Sequence, residues 1–148
     1  MQLTTQRLII IPCTEETISS FQYKIGPHIK MHIENLRSDP TLIGWGPWLV
    51  LEKNSDKVVG DIGFKGRPNA ENTVEVGYGI LPQFQNKGYA TEAVKEIIKW
   101  AFSSEQVTRV VAECLEDNLS SVKVLEKLGM NRTGTIKTIV KWQLLKNN

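Results

Sequence analysis

The chain has 148 residues, of which 41% are apolar, and this length and composition suit one compact domain with a sizeable buried core. Its net charge of +2 comes from 18 basic and 16 acidic residues scattered along the sequence, which argues against a nucleic-acid-binding surface. The N-terminus has no signal-peptide pattern, and no apolar run approaches the roughly 20 residues that span a bilayer. We therefore expect a cytoplasmic protein with neither nucleic acid nor membrane as a partner.

Cysteine and histidine spacing gives no metal or disulfide signature. Cys13 and Cys114 are the only cysteines, too few and too far apart for a disulfide framework or a structural zinc site, so we expect both to be reduced and packed. His28 and His32 lie four residues apart on a predicted helix, but the spacing specifies no third ligand. We expect no metal site.

The first half of the chain predicts a strand, two helices and two further strands. Thr14 followed by Glu15 and Glu16 is typical of a helix N-terminus, and Pro27 suits the first turn of another helix. The predicted elements are a strand over Arg7–Ile11, a helix from Thr14 to about Tyr23, a helix from Pro27 to just before Asp39, and strands over Trp48–Glu52 and Val58–Lys65.

The second half begins with a strand over Thr73–Leu81, in which apolar residues alternate with Glu75, Gly77 and Gly79. Apolar residues at steps of three and four then predict a helix from about Gly88 to Ser103. The remaining predicted elements are a strand over Val107–Leu115, a helix capped by Asn118 or Ser120 and terminated by Gly129, and one or two closing strands from Ile136 to Leu144.

A candidate anion-binding loop joins the alternating strand to the long helix: Gln85, Asn86, Lys87, Gly88, Tyr89 and Ala90. The first backbone N–H groups of a helix lack intrahelical partners and carry partial positive charge, so a phosphate oxygen is a natural ligand there. The loop has neither the Gly-Lys-Ser/Thr triplet of a Walker loop nor the Gly-x-Gly-x-x-Gly spacing of a dinucleotide fold. An ordinary strand-to-helix turn can also contain Gly and Lys.

Two motifs and the N-terminal segment resemble the GNAT superfamily of N-acetyltransferases. Gln85, Gly88 and Ala90 occupy the specified positions of its Gln/Arg-x-x-Gly-x-Gly/Ala motif, and the segment from Asn118 to Met130 resembles its second acyl-CoA motif. The opening Leu3 to Pro12 looks like the start of the ribosomal-protein-alanine/serine acetyltransferase subgroup. The resemblance covers nearly the whole chain. It implies a single α/β (α+β) domain over residues 1–148, in which helices cover both faces of a mostly antiparallel sheet.

The resemblance further implies acetyl-CoA as cosubstrate. Its pyrophosphate would lie on the backbone amides from Gln85 to Thr91, with Lys87 as an exposed positive partner. Family members run the pantetheine arm along the neighbouring strand as an added strand. The implied cofactor-binding residues are Ile80, Leu81, Gln85, Asn86, Lys87, Gly88, Tyr89, Ala90, Thr91 and Asn118.

Acetyl transfer to an amine needs a neutral amine, stabilisation of the developing oxyanion and a proton for the departing thiolate. Glu75 is the candidate general base, acting directly or through a water, with an ordinary solvated strand residue as the alternative; Glu113 is a weaker competitor. By resemblance, a backbone N–H near Ile80 or Leu81 would stabilise the oxyanion. Ser121 stands where many relatives have a proton-donating tyrosine, and its alternative is a simple helix-start residue.

The loop from Gly44 to Trp48 borders the acceptor site in relatives, and we expect one or two aromatic residues from Trp45, Trp48, Tyr78 and Trp142 to contact the acceptor. The leading hypothesis is direct transfer to a primary amine in a ternary complex, since Cys114 lies in an apolar strand without a basic partner. A non-catalytic acyl-CoA sensor or interaction module is the alternative. The acceptor, either a small-molecule amine or a peptide N-terminus, and the choice between monomer and homodimer stay open.

Overall fold

In a computed structural model, which describes residues 1–147, eight strands form one mixed sheet. The strands are β1 (Leu3–Thr4), β2 (Leu8–Pro12), β3 (Pro47–Glu52), β4 (Val58–Phe64), β5 (Thr73–Ile80), β6 (Arg109–Leu115), β7 (Asn131–Ile136) and β8 (Ile139–Leu145). The order across the sheet is β1-β2-β3-β4-β5-β6-β8-β7. The β5–β6 pair is parallel and the other neighbours are antiparallel, so the predicted mostly antiparallel sheet is confirmed.

Four α-helices cover the two faces of the sheet: α1 (Glu15–Ser20), α2 (Pro27–Ser38), α3 (Tyr89–Phe102) and α4 (Leu119–Lys127). On one face α3 buries its predicted apolar stripe, including Val94 and Ile97, against the larger core, to which α4 adds Val122 and Leu125. On the opposite face Ile29 of α2 packs in a smaller cluster. No helix in the described part of the chain is both long and apolar enough to cross a bilayer.

Helix α1 is shorter than predicted. Thr14 caps it as expected, because its hydroxyl accepts a hydrogen bond from the Thr17 backbone N–H at 3.1 Å. The helix ends at Ser20 rather than near Tyr23, since Phe21 already has an extended backbone. Phe21, Tyr23 and Ile25 then alternate in packing against the smaller cluster. These tertiary contacts favour an extended chain over a further helical turn.

Most of the other predicted element positions agree with the structure to within about two residues. Helix α2 begins at Pro27 and ends at Ser38, and α4 is capped by Asn118 and followed by Gly129 at φ +83°. The closing segment forms two strands, β7 and β8, but β7 begins at Asn131, five residues before the predicted start at Ile136. β6 begins at Arg109, two residues later than predicted, and β1 adds a two-residue strand before the predicted first one.

Candidate functional site

The gap between β5 and β6 is the feature that positions the site. The two strands pair through Thr73–Arg109, Val74–Val110 and Glu75–Val111. β5 then continues to Ile80, and in the described structure its further pairing is with β4 only. The second half of β5 therefore has one backbone edge open, with α3 beginning just beyond its end.

The predicted loop forms the entry to α3. Gly88 is the N-cap of this helix and has a left-handed backbone with φ +79°, and no side chain caps the helix. Asn86 has φ +62°. Two positive φ values this close together turn the chain sharply, and the uncapped first-turn amides are left for an external acceptor. This arrangement fits a pyrophosphate, because the donors are backbone N–H groups at the positive end of a 14-residue helix.

Arg7, in the loop before β2, contacts both this turn and the first turns of α3. Its Nη1 donates to the Lys87 carbonyl at 2.8 Å, and its Nε donates to Glu92 of α3 at 2.7 Å. Its guanidinium also lies 4.6 Å from the centre of the Tyr89 ring. Arg7 was recognised in the sequence only as part of the opening segment, because residues 80 positions apart carry no local signal of contact.

A cleft of about 490 Å³, here called the α3–α4 cleft, lies between this turn and the start of α4. Asn118 and Ser121 line it, as do Lys123 and Lys127, which are not among the predicted cofactor-binding residues. Asn118 accepts from the Ser121 backbone N–H at 3.2 Å, so it fixes the start of α4. The predicted residues that line the cleft are Ile80, Gln85, Asn86, Gly88, Tyr89, Ala90, Thr91, Asn118 and Ser121.

Leu81 does not offer the backbone groups that the resemblance implied. Its N–H donates to Val59 of β4 at 2.8 Å, and its carbonyl accepts from the Phe84 N–H at 2.9 Å. Backbone groups alternate sides along an antiparallel strand, so Ile80 and Tyr78 direct theirs toward the gap. The Ile80 carbonyl accepts from the Gln85 side-chain amide at 2.9 Å, which agrees with this direction.

Glu75 lies in the part of β5 that is paired with β6, before the two strands separate. Its carboxylate accepts from Lys65 Nζ at 2.8 Å, and it is not among the residues that line either cleft described here. Gly79 is four residue steps farther along the extended strand, a distance of about 13 Å between the two Cα atoms. This position weighs against direct contact between Glu75 and an acceptor. Glu113 is exposed and pairs with Lys141 at 3.1 Å.

A second cleft, of about 620 Å³ and here called the α2 cleft, lies between α2, the loop from Leu42 to Pro47, and strands β4 and β5. Tyr78 and Gly79 line both clefts, so the two meet at the open end of β5. Of the aromatic residues expected near an acceptor, Trp45 and Tyr78 line the α2 cleft. Trp48 and Trp142 are core residues with 0% and 2% exposure.

The α2 cleft also contains polar residues that the sequence did not single out for this position. Asp61 of β4 lines it together with His28 and His32. His32 is buried, its Nε2 has no hydrogen-bond partner in the described structure, and burial lowers its pKa. The two histidines therefore share a cleft, although among the described residues no group of three metal-ligating side chains surrounds them.

The cysteines are free and packed as expected. Burial, together with the nearby charge of Asp61, raises the pKa of Cys13 to about 12. Cys114 is half-buried and accepts a hydrogen bond from the Trp142 indole N–H at 3.3 Å. Neither thiol has the electropositive surroundings that activate a nucleophilic cysteine.

Comparison with known proteins identifies the family. An acetyltransferase (GNAT) domain model matches residues 7–131. The uncharacterized N-acetyltransferase YjdG of Bacillus subtilis (strain 168) is 41% identical over 86 residues, which are 58% of this chain and 51% of YjdG. The chain thus spans about half the length of the curated relatives it matches.

Solved structures share the fold. The RimL ribosomal L7/L12 alpha-N-protein acetyltransferase in complex with coenzyme A has a TM-score of 0.79 at 12% identity, covering 98% of each chain. The microcin C7 self-immunity acetyltransferase MccE, in complex with acetyl-CoA and AMP, has a TM-score of 0.72 at 16% identity, covering 96% of this chain and 94% of MccE. The family match, which covers most of the chain, shows that this chain belongs to the GNAT acetyltransferase family, whose cosubstrate is acetyl-CoA.

Proposed function

We propose that this protein is an N-acetyltransferase that moves an acetyl group from acetyl-CoA directly to a primary amine, a small molecule or a peptide N-terminus. The observation that carries the proposal is the meeting of two clefts at Tyr78 and Gly79. One cleft has the uncapped helix start that suits a pyrophosphate, and the other is lined by α2 and aromatic side chains. Two substrates entering from opposite sides would meet at the open edge of β5.

In the proposed reaction the acceptor nitrogen loses a proton and forms a bond to the acetyl carbon, while the carbon–sulfur bond breaks. The products are an N-acetyl amine and CoA, which takes up a proton on sulfur. Acetyl-CoA supplies the activated thioester. The Ile80 N–H, which the strand alternation directs toward the gap, is the proposed donor for charge on the carbonyl oxygen.

The test combines binding with turnover. Isothermal titration of the purified protein with acetyl-CoA measures binding, and release of the CoA thiol in the presence of a panel of amines measures transfer. We expect micromolar binding and thiol release that requires an amine. Binding without thiol release across the panel would favour the acyl-CoA sensor, and absence of binding would contradict the proposal.

Lys123 and Lys127 are expected to strengthen acetyl-CoA binding through its phosphates. They lie one helical turn apart on α4 and line the α3–α4 cleft, but both are exposed, so salt screens their charges. Replacing both by alanine should raise the Kd for acetyl-CoA about fivefold in low salt and flatten its salt dependence. The matched control replaces Lys95 and Lys99 of α3, which lie outside both clefts, and an equal effect there would contradict a site-specific role.

Glu75→Gln is expected to reduce kcat/KM by less than about tenfold, because Glu75 is paired with Lys65 and does not itself line either cleft. A general base typically contributes about 10² to 10⁴ in rate. A loss in that range, with an unchanged Tm, would restore Glu75 as the base acting through a water. Steady-state kinetics at several pH values distinguish the two cases.

Ser121 is proposed to relay a proton toward the departing thiolate, since it lines the α3–α4 cleft. A CoA-like thiol has a pKa of about 8.5, so the thiolate is already a fair leaving group. We expect Ser121→Ala to lower kcat by roughly two- to tenfold with little change in KM for acetyl-CoA. Ser19→Ala, which changes a helical serine of α1 outside both clefts, is the control. A fall of more than about 100-fold in the Ser121 variant would indicate an indispensable acid.

A further inference from the structure

Asp61 is the one carboxylate among the described residues that line the α2 cleft. It pairs with Gly79 across β4 and β5, and Gly79 is one of the two residues shared by both clefts. A side chain at Gly79 would meet no described atom within 4 Å, so the surface beside Asp61 is open. The carboxylate therefore lies beside the point where the two proposed substrates would meet.

Two donors from a different part of the chain hold this carboxylate in place. The Tyr23 hydroxyl donates to Oδ2 at 2.6 Å, and His28 Nε2 lies 2.8 Å from Oδ1. The negative charge of Asp61 also contributes, after burial and the hydrogen bond, to raising the pKa of Tyr23. Two carboxylate oxygens provide about four acceptor sites, so each can accept a further hydrogen bond from a ligand.

The other polar groups that line the α2 cleft indicate which kind of cation it could bind. His32 lines it as a buried imidazole whose lowered pKa favours the neutral form, so it adds no positive charge. Lys65 lines the cleft as well and pairs with Glu75. A single carboxylate, in a cleft that also contains Lys65, suits one ammonium group and not a chain of several.

The apolar side chains that line the α2 cleft indicate which kind of ligand body fits it. Trp45 packs against Trp100 and Phe64, with ring centroids 4.8 and 5.8 Å apart, so its indole is held as a firm wall. Met31 and Leu42 also line the cleft. The volume of about 620 Å³ lies within the range of small-molecule sites. These residues favour a compact apolar group.

We propose that the acceptor is a small primary monoamine with a compact apolar body, and that Asp61 binds its ammonium group in the α2 cleft. The bound ammonium releases one proton to solvent to give the neutral amine that attacks, and the second proton lost from nitrogen is balanced by the one taken up on the CoA sulfur. The apolar body lies against Trp45, Met31 and Leu42, and Tyr23 and His28 orient the carboxylate. This assignment rests on the proposed acetyltransferase function and names the substrate class of the same site.

Kinetics with defined amines test the assignment. The probes are 2-phenylethylamine as the monoamine, spermidine as a polyamine and an alanine-initiated pentapeptide as a peptide N-terminus. We expect the highest kcat/KM for the monoamine. Asp61→Asn should raise the KM for this amine about tenfold or more, with kcat and the KM for acetyl-CoA within about twofold. Asp56→Asn, the same change in the β3–β4 connection, should leave all three constants unchanged.

A competition experiment with the unaltered protein does not depend on any variant. The cationic N,N-dimethyl-2-phenylethylamine should inhibit at a concentration about tenfold or more below that of the neutral 2-phenylethanol. Equal inhibition by both, an unchanged KM in Asp61→Asn, or a preference for spermidine or the peptide would overturn the inference and leave the acetyltransferase function standing. Failure to bind acetyl-CoA in titration would instead remove the function itself.

Discussion

Gly88→Glu is expected to weaken acetyl-CoA binding by at least about 100-fold, roughly 2.7 kcal/mol. Gly88 has φ +79°, which a residue with a Cβ adopts only at a cost, and its Cβ would lie 3.3 Å from Arg7 Nη2. The new carboxylate would stand at the start of α3, where the proposed site receives a pyrophosphate. Isothermal titration measures the loss, and binding equal to that of the unaltered protein would contradict the site.

Two further variants separate charge from backbone strain. Gly88→Ala adds the strain without the charge, and we expect an intermediate loss of affinity. Gly129→Glu adds the same side chain at φ +83°, after α4, where no described atom lies within 4 Å of the added Cβ. Because Gly129 lines neither cleft, this variant should bind acetyl-CoA normally even if its Tm falls.

Trp48→Ala is expected to lower the free energy of unfolding by about 3 to 5 kcal/mol. Trp48 is fully buried, its ring meets Trp100 edge-on with centroids 5.1 Å apart, and its indole N–H donates to the Gly44 carbonyl at 2.9 Å. The truncation leaves a cavity and an unpaired carbonyl together. Urea unfolding followed by far-ultraviolet circular dichroism measures the loss.

Trp48→Phe divides that loss into its parts, because it keeps an aromatic ring and removes the indole N–H. We expect a cost near half that of the alanine variant, of which about 1 to 2 kcal/mol reflects the unpaired Gly44 carbonyl. The Gly44 segment leads directly into Trp45 and Gly46, which line the α2 cleft. A cost below about 1.5 kcal/mol for the alanine variant would contradict the role of Trp48 as a main core residue.

Local pattern accounts for much of the agreement between prediction and structure. The apolar stripe of α3 and the alternation along β5 are periodic signals that follow from burying one face of each element. Thr14, Pro27 and Asn118 mark helix starts because their effects act within one turn. The predicted end of α1 was wrong because Phe21 and Tyr23 pack against a cluster whose members, such as Leu49, are distant in sequence.

By itself, the sequence determined the order of strands and helices, the family motifs and the loop from Gln85 to Ala90, since these depend on residues close together along the chain. Only the tertiary structure decided that the Leu81 N–H belongs to β4, that Glu75 lies paired with Lys65, and that Asp61 meets Tyr23 and His28. The direction of a backbone group and the partner of a charge depend on strand pairing and register, which here bring together residues 10 to 38 positions apart.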